Sequence, residues 1–234
     1  MLKQIKKELR ALANPKKAKV LAGFFKTGKG EYGEGDVFLG IVVPETRKVA
    51  KKFTSLALSE IRELLHSPVH EERLASLFIL ISKYNKAGIA GKKEIFDFYI
   101  QNAKSVNNWD LVDLSAHRIV GKYLLDKGEK EKAILDMLAK SDNLWERRIA
   151  IIATYEFIKN HKFEHAFKVS RLLLNDKHDL IHKAVGWILR EVGKRNQAAE
   201  GKFLKKHFRQ MPSTMLRYAI ERFNAVIREE YLKK

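Results

Sequence analysis

"WERRIAIIATYEFI", residues 145 to 158, decides the fold class. From Ile149 to Ala153 the stretch is apolar nearly all round, as expected of a helix covered on more than one side. Its neighbour, "KFEHAFKVSRLLL" at residues 162 to 174, reads differently. Phe163, Ala166, Phe167, Ser170, Leu173 and Leu174 follow i, i+3, i+4 spacing and give a single buried stripe. Alternation of fully and half-buried helices is what stacked helix pairs produce. Only four prolines interrupt the periodicity, so the chain is expected to be all-α.

Working outward from Arg148, one position recurs. Arg73, Arg148, Lys183 and Arg217 each place a cation near the start of an apolar helix, at separations of 75, 35 and 34 residues. The first gap hides one repeat, and Asp113 falls in it, 40 residues after Arg73 and 35 before Arg148. A period of 34 to 40 residues with two helices each matches HEAT-like arrays. The expectation is a curved solenoid of about six repeats forming one domain over residues 1–234.

The charge is unevenly spread. Residues 1 to 30 carry nine Lys/Arg against one acid, the stretch to residue 158 is balanced, and residues 159 to 234 carry eighteen against eight, for a formal total of +18. Two basic ends around a neutral middle suit a body that grips a long polyanion. The C-terminal excess includes Lys194, Arg195, Lys202, Lys205 and Lys206, expected to meet phosphate. The absence of cysteine removes disulfides, thiolate nucleophiles and the usual structural zinc sites. No apolar run is long enough to span a membrane, and the first residues lack the apolar block of a secretory signal. A cytoplasmic, nucleoid-associated monomer is therefore expected.

In this basic chain, "NNWDLVDLSAH" at residues 107 to 117 keeps an acid where the register places bases. Trp109 and Asp113 lie one turn apart on one helix face, and Trp187 lies one turn after Lys183. Two motifs are rejected. "GKGEYG", Gly28 to Gly33, satisfies G-x-G-x-x-G but has no strand before it and no helix directly after it, and Glu34 and Asp36 would repel phosphate. "HKFEH", His161 to His165, matches H-x-x-E-H but falls where one helix should end and the next begin, so no metal site is expected.

"GEYGEGDVFLGIVVPETRKVAKKF", "NNWDLVD", "WERRIAI" and "HKAVGWILREVGK", in this order and spacing, resemble the AlkD-like family of DNA alkylation repair glycosylases. The resemblance covers about residues 10 to 210. It implies HEAT-like repeats and hydrolysis of the N-glycosidic bond of positively charged alkylated purines in duplex DNA, with no cofactor. Carried over, it makes Asp113 the catalytic carboxylate, Trp109 and Trp187 aromatic walls at the lesion, and Arg148 a cleft cation. Arg73, Lys183 and Arg217 are expected along the same track. Asn108 stands where some members carry another aromatic, a difference that bears on adduct preference. The competing reading is a non-catalytic scaffold that binds nucleic acid by charge and shape. It accounts for the basic ends but not for Trp109, Asp113 and Trp187 together.

Overall fold

The structure, a computed structural model, describes residues 1–233. Among these, every regular element is helical, and the one extended pairing is an isolated bridge between Val37 and Val69. No described helix is long and apolar enough to cross a membrane. By its internal contacts the chain divides into two compact units, Met1–Ser115 and Ala116–Lys234.

The first unit contains α1 (Leu2–Ala11), α2 (Pro15–Phe24), α3 (Val43–Lys52), α4 (Leu58–Leu65), α5 (His70–Lys86), α6 (Ile89–Gln101) and α7 (Trp109–Ala116). Its hub is α5, against which α1, α3, α4 and α6 pack. Leu74, Ala75, Leu77, Ile79 and Leu80 of α5 are almost wholly buried, and each large apolar side chain so removed from water contributes about 1.5 to 3 kcal/mol. The first turn of the same helix is buried too, although it reads His70-Glu71-Glu72-Arg73 and is at most 3% exposed. Each member has found partners. Glu71 accepts the backbone N–H groups of Leu39, Gly40 and Ile41 at 2.9, 2.8 and 3.1 Å, while Glu72 pairs with Lys6 and Arg10 of α1 at 3.4 Å. Such pairing is the condition for burying charge.

The second unit opens with a π-helical turn, His117–Gly121, and continues through α8 (Lys122–Leu124), α9 (Glu129–Ala139), α10 (Leu144–Lys159), α11 (Glu164–Leu172), α12 (Asp179–Gly193), α13 (Gln197–His207), α14 (Ser213–Ala219) and α15 (Ala225–Leu232). Helices α10, α12 and α14 pack in succession, while α9 and α11 cover α10 and α13 covers α12. Ile149, Ile151, Ile152 and Phe157 of α10 are fully buried, in keeping with the all-round apolar stretch. Asparagines start these helices: Asn143 accepts from the N–H groups of Trp145 and Glu146, and Asn196 accepts from Ala199. Glycine lets the row close up. A Cβ on Gly186 of α12 would sit 2.5 Å from the Met215 carbonyl oxygen of α14, and one on Gly121 would sit 2.3 Å from that of Ala153.

The residues picked out by the sequence spacing hold similar places in their helices. Asp113, Arg148, Lys183 and Arg217 are each the fifth residue of their helix, in α7, α10, α12 and α14, and Arg73 is the fourth of α5.

Candidate nucleic-acid interface and active site

In the first unit, α7 carries Trp109 and Asp113, both partly exposed. Asn108, just before it, is completely buried; its Oδ1 accepts the Trp109 N–H at 2.8 Å and its Nδ2 donates to Asp36 at 3.3 Å. In this chain the place is internal and the asparagine satisfies a carboxylate. The Trp109 indole stacks on Phe25 with ring centroids 5.3 Å apart, and Phe25 stacks in turn on Phe38 at 5.1 Å. Phe24 meets the indole edge-on at 6.0 Å and is 61% exposed. Asp113 lies close enough to Tyr99 for its charge to add to the effect of burial, which pushes the Tyr99 phenol well above its usual range.

Arg73 corrects an expectation. It is 2% exposed, and its guanidinium pairs with Asp36 at 2.6 Å and donates to the Ser67 carbonyl at 2.9 Å. It is thus an internal cation and presents no charge to a phosphate. The sequence register located its helix position; it did not reveal that the acid of "GEYGEGD" folds back onto it. Burial works against the Asp36 carboxylate, but His70, Arg73 and Asn108 together hold it below the usual range.

In the second unit, Arg148 departs from expectation in the same direction. It is 6% exposed and donates to the Leu180 carbonyl of α12, so it is not an open cleft cation. Lys183 is partly exposed and pairs with Asp179 at 2.7 Å. Arg217 is exposed on α14, as are Lys202, Lys205 and Lys206 on α13. Lys194 and Arg195 both meet Glu191, Arg195 at 3.1 Å. Trp187 is partly exposed and packs on Tyr155 of α10 at 5.0 Å. Tyr155 is a residue that the sequence reading missed. Lys159 and Arg195 lie over its ring at 5.6 and 5.7 Å, and the edge of His117 touches it at 5.3 Å. It occupies the helical turn after Ile151 in the stretch that was read for the fold alone.

The N–H groups of Gly28 and Gly30, which a phosphate would need, are taken by Glu31 and Glu34 at 2.9 and 2.8 Å. His161 lies between α10 and α11 with a positive φ of 57°, and His165 contacts Glu129 at 3.2 Å.

A family profile described as "DNA alkylation repair enzyme" matches residues 5–223. The chain belongs to this family. Among solved structures, it is similar to a predicted DNA alkylation repair enzyme from Enterococcus faecalis, with a TM-score of 0.69 and 16% identity, over 91% of this chain and 97% of the other. At that identity the likeness concerns the fold. No curated protein matches. Membership in the alkylation repair family makes this an enzyme of DNA repair, in accord with the four sequence segments quoted above.

Proposed function

We propose that this member of the alkylation repair family is a monofunctional DNA glycosylase. Its substrates are positively charged alkylated purines of the 3-methyladenine and 7-methylguanine type in duplex DNA, on which it acts as a cytoplasmic monomer. The observation that carries the reading is Asp113: an acid on a partly exposed helix face, one turn from an indole, at the helix position where α10, α12 and α14 carry Arg148, Lys183 and Arg217.

The chemistry accounts for that choice. Cleavage between C1′ and an N-alkylated purine releases the base as a neutral leaving group, so positive charge passes to the deoxyribose as an oxocarbenium-like ion. A carboxylate at about 4 Å and an effective dielectric of about 20 interacts with that charge by about 4 kcal/mol, of which the share that grows toward the transition state accelerates the step. Asp113 also has the lone pairs to orient the attacking water or accept its proton. The faces of Trp109 and Trp187 carry negative quadrupole charge and suit a cationic nucleoside, at about 0.5 to 2 kcal/mol each. The exposed lysines of α13 neutralise phosphate and carry no base information.

The test is release of 7-methylguanine from methylated duplex DNA by the purified protein under single-turnover conditions. Asp113→Asn should slow excision about ten- to a thousandfold, the range for one lost electrostatic term in the transition state, without weakening DNA binding. Trp187→Ala should slow it less. Absence of excision by the wild type would defeat the glycosylase reading; excision unchanged in Asp113→Asn would move the site elsewhere.

A further inference from the structure

Trp109 stands between two residues that are both tied to the interior. Asn108 donates to Asp36, and Asp110 Oδ2 meets His70 Nε2 at 2.9 Å. The other ring nitrogen of His70, Nδ1, faces the same Asp36 at 3.7 Å, and Arg73 closes the cluster by pairing with Asp36. His70 therefore links the loop carrying Asp36 to the first turn of α7.

The charge count bears on the state of the ring. Buried Asp36 and half-buried Asp110 bring two negative charges and buried Arg73 one positive, so a neutral His70 leaves one negative charge uncompensated at the edge of the core, which is disfavoured. Carboxylate oxygens only accept hydrogen bonds, so a ring facing two of them is best served by protons on both nitrogens. At Nδ1 the distances to Arg73, 3.5 Å, and to Asp36, 3.7 Å, are similar, so the charge balance and the short Nε2 contact with Asp110 decide the state.

We infer that His70, as the imidazolium, is the positioning residue for the site on α7, locking Asp110 and hence the turn that presents Trp109 and Asp113. Its effect on catalysis rests on the glycosylase reading; its geometry does not. The groups facing it are Asp36 from the loop, Asp110 from α7, and Arg73 with Glu71 close by on its own helix. The Phe25 and Phe38 rings lie against it at 5.0 and 4.6 Å. Burial favours the neutral ring, but Asp110 and Asp36 outweigh it and raise the imidazole above its usual 6.5. A cavity of about 430 Å³, lined by both His70 and Asp110 with Lys17 at its wall, adjoins the pair.

The experiment is a pH titration, from about 5 to 9 to bracket histidine, of protein labelled with 5-fluorotryptophan, the Trp109 resonance being assigned with Trp109→Phe. That resonance should move with a midpoint above 6.5, and the transition should vanish in His70→Gln. Excision by His70→Gln should fall about 5- to 20-fold, as expected of a displaced catalytic group, while the Kd for undamaged duplex stays within about twofold because no phosphate-binding cation is removed. If His70→Gln fails to fold, the wild-type titration and Asp110→Asn serve in its place, and Asp110→Asn should likewise remove the transition. A wild-type Trp109 resonance that is flat across the range overturns the inference, as does full excision by a folded His70→Gln. Absence of excision in the wild type would instead defeat the glycosylase reading, with the fluorine titration still deciding the positioning role.

Discussion

The two tryptophans singled out as lesion walls are supported in opposite ways. Around Trp109 the support is ionic and internal: His70, Asp36, Arg73 and Asp110 form a buried network behind the indole, and the imidazole is pushed up toward the charged form. Around Trp187 it is aromatic: Tyr155 bears the indole, with His117 at its edge and Lys159 and Arg195 over its ring. There, burial pushes His117 down toward the neutral form; its single acid, Glu156, is offset by Lys159 and Arg118. A histidine thus takes its charge from the number of acids around it. Two carboxylates overcome desolvation and one does not.

The largest expected effect tests whether the first network bears the weight assigned to it. Arg73→Met leaves Asp36 buried without its cation and should cost about 3 to 5 kcal/mol in urea unfolding, whereas Arg217→Met, on an exposed position of the same register, should change stability by less than about 0.5 kcal/mol. Equal costs would erase the distinction between the two regions.

Glu200, in the second unit, sharpens it next. Burial raises this carboxyl to about 8 against an ordinary 4.5, with Arg190 only partly opposing. The folded protein therefore holds a proton that the unfolded chain has lost between those values, and stability falls as pH rises through that window. Glu200→Gln should remove the decline and gain about 3 to 5 kcal/mol near pH 8.5 relative to wild type. Parallel stability curves for the two proteins from pH 5 to 9 would refute the assignment of the slope to this group.

The histidines should then give opposite limbs. For His70, raised in the fold, its contribution is full below 6.5 and is lost as pH climbs through the folded value; for His117, lowered in the fold, the contribution is present above 6.5 and is lost as pH falls. Denaturation midpoints of His70→Gln should lack the alkaline loss and those of His117→Asn the acidic one. The smallest effect concerns the solvent face of α13. If about six phosphates are neutralised, log K for undamaged duplex should fall with log salt at a slope near −5, and Lys205→Gln should reduce that slope by about 1. A salt-independent affinity would remove the basic C-terminal region from the interface.

The helical class was legible because the i, i+3, i+4 stripe from Phe163 to Leu174 has the helical period and few prolines interrupt the chain, and the spacing of Asp113, Arg148, Lys183 and Arg217 was legible because they share one helix position. What these residues face was not legible. Arg73 and Arg217 look alike in sequence, and only the return of Asp36 from a loop more than thirty residues earlier turns the first inward. Nothing in the sequence marks the His70-Glu71-Glu72-Arg73 turn as buried, since its partners come from α1, two loops and α7. Tyr155 was hidden for the converse reason: an aromatic in an apolar run looks like core until a neighbouring helix supplies Trp187 beside it.

Helix α2 buries none of its residues, and Val20 and Phe24 are 70% and 61% exposed. A segment with so little apolar surface withdrawn from water opens at small free-energy cost, independently of global unfolding. Its amide protons should exchange with deuterium well ahead of those of α5 and α10. Phe24, at the end of α2, touches the edge of the Trp109 indole, so opening of α2 should uncover that edge while Phe25 keeps the stacked face.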